Sequence, residues 1–88
     1  MTLPTVHLNG TSARELFAQA EAAVNALRDA MRLMQESAPN GRDYYPQAAG
    51  AHHRAQDEHF ARLARVRAVV EDYEMLLEHL ATQMEARR

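Results

Sequence analysis

The residues best equipped for chemistry fall in three clusters, the densest being PNGRDYYPQ at residues 39–47. Asn40 and Gly41 allow a turn with exposed amides, Arg42 offers a planar fork of donors, and Tyr44 and Tyr45 offer faces for stacking. With the free amides of a following helix, such a set suits a phosphorylated or nucleotide-like ligand. The same residues have a structural use. Asp43 can pair with Arg42 or cap the next helix, while one tyrosine lies over the hairpin end with its hydroxyl in water. Adjacent residues of an extended segment point opposite ways, so both tyrosines cannot serve in that manner.

The second cluster follows directly, with His52, His53 and Arg54 as donors for an anion near the positive end of that helix. His52, Gln56 and His59 share one helical face, and His53, Asp57 and Phe60 share another. Neither a His-Glu-x-x-His run nor a Glu-x-x-His pair occurs, so no metal site is expected, and His59 is expected half-buried at an interface. Downstream, Arg54, Glu58, Arg62 and Arg65 are spaced for intrahelical ion pairs on a solvated face. Arg62, Arg65 and Arg67 form a surplus that a symmetric assembly would multiply around its axis.

The third cluster is His7, Asn9 and Gly10 in HLNG, immediately before the first helix and its amino-terminal amides. In an antiparallel hairpin this end lies far from residues 39–47, so the two polar clusters meet only between chains. The structural alternative is an extended arm that packs Val6 and Leu8 on a neighbouring helix while Asn9 and Gly10 turn the chain. Catalysis is not expected. Cysteine is absent, Ser12 and Ser37 stand at helix ends, and there is no glycine-rich loop or paired buried carboxylate.

The elements that must carry these groups read as all-α: an extended arm (1–11), a first helix (about 12–37), a loop (38–47) and a second helix (about 48–86). Ser12 with Glu15 makes a capping box. Leu16, Phe17, Ala20, Ala23, Val24, Leu27, Ala30, Met31 and Met34 recur at three- and four-residue steps and form one stripe. Pro39 disfavours helix at Ala38, and Asn40 with Gly41 can adopt the left-handed geometry that follows a helix. The second pattern starts between Pro46 and Ala51, with a short separate turn allowed by Gly50. Its seam comprises Phe60, Leu63, Val66, Val70, Tyr73, Leu77, Leu80 and Met84, widened by Val69 and Leu76. The unequal helix lengths predict an overhanging end of the second helix, and the wide stripe predicts more than one neighbour. The expected architecture is therefore an antiparallel two-helix hairpin that assembles into a homo-oligomeric bundle.

The totals agree with such an assembly. The chain has 88 residues and no cysteine, so one thin-cored domain must gain burial from long helices or from copies of itself. Formal net charge is −2, which gives no overall attraction to nucleic acid or anionic membrane and argues against a general nucleic-acid binder. All ten basic residues are arginine, which suits bidentate anion contacts and equally a GC-rich, alanine-rich coding bias. With no apolar run of spanning length and nothing at the start like a signal peptide, a cytoplasmic protein is expected.

The words VHLNGTS and PNGRDYYP resemble those of small helical proteins, mostly uncharacterised, from phages and prophages of GC-rich bacteria. In size, hairpin and assembly the chain is also similar in architecture to phage anti-defence sponge proteins, which oligomerise and sequester cyclic nucleotide or ADP-ribose signals. That likeness implies a non-enzymatic binder without cofactor, working in the host bacterial cytoplasm. Arg42, Tyr44, Tyr45, His52, His53 and Arg54, with His7 and Asn9 from an adjoining subunit, would contact base and phosphate. Two other readings stay open: a helical interaction protein that inhibits or scaffolds a host or phage protein, and a small structural component of a virion.

Overall fold

The computed structural model describes residues 1–86. Among them are two long helices, α1 (Ala13–Glu36) and α2 (Ala51–Ala86), packed against each other as an antiparallel hairpin, and no strands. No helix is long and apolar enough to cross a membrane.

Helix α1 starts where the capping signal places it: the Ser12 hydroxyl accepts the Glu15 amide at 3.1 Å. At its other end the Ser37 hydroxyl donates back to the Met34 carbonyl at 2.9 Å, and Pro39 prevents continuation. Helix α2 begins at Ala51, after Gly50 at φ 86°, the one positive φ among the described residues. Gly50 takes the left-handed geometry that Asn40 and Gly41 were expected to adopt, but before α2 and not after α1. Those two instead open a short 3-10 turn, Gly41–Asp43, capped by the Asn40 side chain.

The seam is narrow. Ala13, Ala20 and Val24 of α1 and Leu63, Val70 and Leu80 of α2 are its buried apolar residues, and Leu80 is the largest side chain with no exposure among the described residues. The loop-ward end of the seam departs from expectation, because Phe60 is 62% exposed and His59, at 6%, takes the inward position. Strict alternation of four and three, followed backwards through Val70, Val66 and Leu63, arrives at His59; reaching Phe60 requires two consecutive steps of three. The histidine is therefore buried within its own chain, not half-buried at an interface.

The predicted overhang is also corrected. Ala13 and Arg14 line the same cavity as Met84 and Glu85, so the helices end level at the open end of the hairpin. Helix α1 has 24 residues and α2 has 36, and the excess lies at the start of α2. There residues 37–50 fold back along it. Tyr44 meets His52, with ring centroids 5.9 Å apart, and Ala51 is buried.

The arm docks on its own hairpin. The Pro4 carbonyl is 2.9 Å from His79 Nε2, and Met1, Thr2 and Pro4 line a groove with Ala20, Ala23 and Leu76. The expected packing of Leu8 fails, since that side chain is 92% exposed, whereas Val6 is half-buried. A turn closed by the Gly10 amide on the His7 carbonyl, at 3.1 Å, lifts Leu8 off the surface.

The molecule is a rod of 62 × 20 × 18 Å with a radius of gyration of 19.1 Å. A compact chain of this length would have a radius of gyration of about 12 Å. Cross-helix polar ties are few; Arg28 Nη2 reaches Glu74 Oε1 at 3.4 Å between side chains that are each about half exposed.

Candidate functional site

The loop end of the rod carries two open grooves separated by Tyr44. One, of about 360 Å³, is lined by Met34, Ser37, Asn40, Asp43, Tyr44, His59 and Arg62. The other, of about 290 Å³, is lined by Pro39, Tyr44, Gln47, Arg54, Glu58 and Arg62. Arg62 borders both.

The local sequence explains this geometry. Asn40 turns its side chain onto the Arg42 amide at 3.1 Å, and its carbonyl takes the Asp43 amide. The Gly41 carbonyl takes the amides of Tyr44 and Tyr45. The amides of residues 42–45 are thus satisfied inside the turn and are not offered to a ligand. The tight turn also separates the tyrosines. Tyr44 is half-buried and tilted at 37° against the His52 ring, while Tyr45 is 82% exposed and lines neither groove.

The expected site residues therefore divide. Tyr44 and Arg54 belong to the grooves, and His52 supports Tyr44 from behind. Arg42 is exposed in the 3-10 turn beside the grooves, without an ion pair among the described residues. His53 points elsewhere, with its Nε2 3.7 Å from Asp57 Oδ2. Asp43 neither pairs with Arg42 nor caps α2; its residue lines the first groove opposite Arg62. His7 and Asn9 lie at the other end of the rod. There His7 lines an open cavity of about 570 Å³ with Arg14, Phe17 and Met84, and its ring folds against Gly10.

Two groups gain importance that the sequence reading had placed elsewhere. His59 lines the first groove, and its Nε2 is buried without a hydrogen-bond partner among the described residues, as is His52 Nδ1. His52 and His59 are seven residues apart, the spacing that puts two side chains on one helical face. Arg62, one turn further along, was grouped with the solvated arginines. Its expected ion pairs, and those of Arg54 and Arg65, do not form among the described residues, although Glu58 shares the second groove. Arg54 Nη1 instead donates to the Ala49 carbonyl at 3.4 Å. The result is an aromatic face with Arg62 at both grooves, Arg54 at one and a buried imidazole at the other.

In comparisons with protein-family models, curated proteins and solved structures, nothing matches this chain.

Proposed function

We propose that the chain is a non-enzymatic, homo-oligomeric binder that sequesters a phosphorylated nucleotide-type signal at the loop end of its hairpin. One observation carries the reading: Tyr44 borders two grooves that share Arg62, one also lined by Arg54 and the other by His59, whose Nε2 has no hydrogen-bond partner among the described residues. A base can stack on the tyrosine while guanidinium groups take phosphate, which is the chemistry a nucleotide offers. The groove volumes, about 360 and 290 Å³, sit at the lower edge of ligand pockets, which span about 300–1,000 Å³. Both are open to solvent, so a second copy would be needed to enclose a ligand, and assembly and binding belong to one reading.

A second reading, a helical module that docks on a protein, draws support from the exposed Leu33, Val69 and Met75. A thermal-shift panel of cyclic dinucleotides and ADP-ribose derivatives separates the two. A ligand at one hundred times its Kd adds about 2.7 kcal/mol to native-state stability. For a domain of this size that corresponds to a rise in melting temperature of about 10 °C or more. Arg62→Ala should remove most of the rise. A silent panel, with every shift under about 1 °C, would refute the nucleotide reading and leave the protein-docking one.

A further inference from the structure

The accessible surface of the chain is 6624 Å², whereas a compact monomer of 9.9 kDa exposes about 5,200 Å². The excess, about 1,400 Å², is larger than the roughly 800 Å² that each partner contributes to a standard protein interface. Part of the surface that the rod exposes is an apolar face on α1. Beside the seam that meets α2, the helix carries a second series at steps of three and four: Ala23, Ala26, Ala30 and Leu33. Ala26, Ala30 and Leu33 are exposed, Leu33 by 57%, and no charged residue interrupts the series. Ala23 shares the arm groove with Leu76, and Val69, one heptad before Leu76, continues the same apolar face toward the loop. The arm covers only the open-end part of this face.

Direction follows from charge. The first half of α2, up to Arg67, holds four arginines and two acids; from Ala68 to Ala86 it holds five acids and no arginine or lysine. Arg87 and Arg88 lie outside the described residues and leave that half acidic. Parallel copies would set like charge against like, whereas antiparallel copies set each basic half against an acidic one. The α1 series fits the second arrangement, because reversed on itself it places Ala23 opposite Leu33 and Ala26 opposite Ala30, with Gln19 opposite Ser37. A large residue meets a small one, and small meets small at the centre, which lets the backbones approach.

We propose that two copies pack antiparallel through this face, with a two-fold axis between Ala26 and Ala30. The open end of one protomer then lies beside the loop end of the other, so the partner's His7 and the partner's Asn9 adjoin the grooves around Tyr44 and Arg62. The inference rests on the assembly half of the proposed function and not on its ligand.

The chain has no cysteine, so single thiols report the register directly. Ala26→Cys and Ala30→Cys are oxidised separately and as a mixture, without ligand, with circular dichroism as the folding control. The expected result is a disulfide-linked dimer in the mixture and little in either variant alone. Ala30→Glu, at an exposed position, should yield a monomer of unchanged helix content in sedimentation. Monomeric wild-type protein at tens of micromolar overturns the proposal. So does self-linking of each single variant, which reports parallel packing, and so does a dimer whose mixture fails to link, which reports another face. Linked dimers with a silent nucleotide panel would sink the ligand reading alone; a responsive panel without linkage would sink this arrangement alone.

Discussion

His59→Leu should make the protein more stable and worse at binding. The residue is 6% exposed, and its Nε2 has no hydrogen-bond partner among the described residues. A buried polar group left unpaired costs about 1–3 kcal/mol relative to an apolar group of similar shape. Leucine is close in volume to histidine, and imperfect fit beside Phe60 and Met34 returns up to about 1 kcal/mol. The net gain is about 1–2 kcal/mol, or a rise of about 5–10 °C in melting temperature for a domain of this size. Urea unfolding at one fixed protein concentration is the assay, because self-association makes apparent stability depend on concentration. The midpoint should rise by about 0.5–1 M at unchanged slope. If the leucine variant loses 1 kcal/mol or more at unchanged slope, Nε2 is satisfied in the free protein and the reasoning fails. In the same variant, any nucleotide-induced thermal shift should shrink, since stability withheld at a site in exchange for binding is the usual mark of function.

Three further experiments test the frame that holds the site. Leu80→Ala removes the one large side chain with no exposure and should cost about 2–5 kcal/mol, enough in so thin a core to abolish cooperative melting above room temperature. Gly50→Ala places a side chain on a residue at φ 86°, where its Cβ would sit 3.1 Å from Arg54 Nη1. A loss of about 1–2 kcal/mol is expected by thermal denaturation. By contrast, a double-mutant cycle on Arg28 and Glu74 should return a coupling below about 0.5 kcal/mol, because both side chains are well exposed and the contact is long at 3.4 Å.

Most of the frame was open to sequence reading because it depends on local chemistry. The Ser12 cap, the break at Pro39 and the α1 stripe, apart from the exposed Ala30, are each decided within a few residues, whereas the start of α2, expected at about residue 48, falls at Ala51 behind Gly50. Where neighbours in space decide, the reading slipped by small, identifiable amounts. Hydrophobicity favoured Phe60 over His59 for the seam, although the repeat counted from Leu63 selects the histidine. The loop was credited with free amides, but Asn40 and Gly41 use their own oxygens to satisfy residues 42–45. Leu8 was assigned to packing on hydrophobicity alone, and the turn at His7–Gly10 turns it outward.

The site itself follows from a length that periodicity gives only approximately. Helix α2 is twelve residues longer than α1, about 18 Å of helix without a helical neighbour. Had the loop been short, that stretch would have projected as a bare cylinder. Instead residues 37–50 lie along it, and a loop cannot close a groove as densely as a helix does. Gaps remain on either side of Tyr44, and the groups bordering them are those that face away from a helical partner: Arg54, Glu58 and Arg62 from α2, and Asn40 and Asp43 from the loop. Shortening the excess by deleting one heptad from the first half of α2 would therefore erase the grooves while preserving the seam between α1 and the second half of α2. The mismatch, more than any single motif, is what converts a hairpin into a candidate receptor.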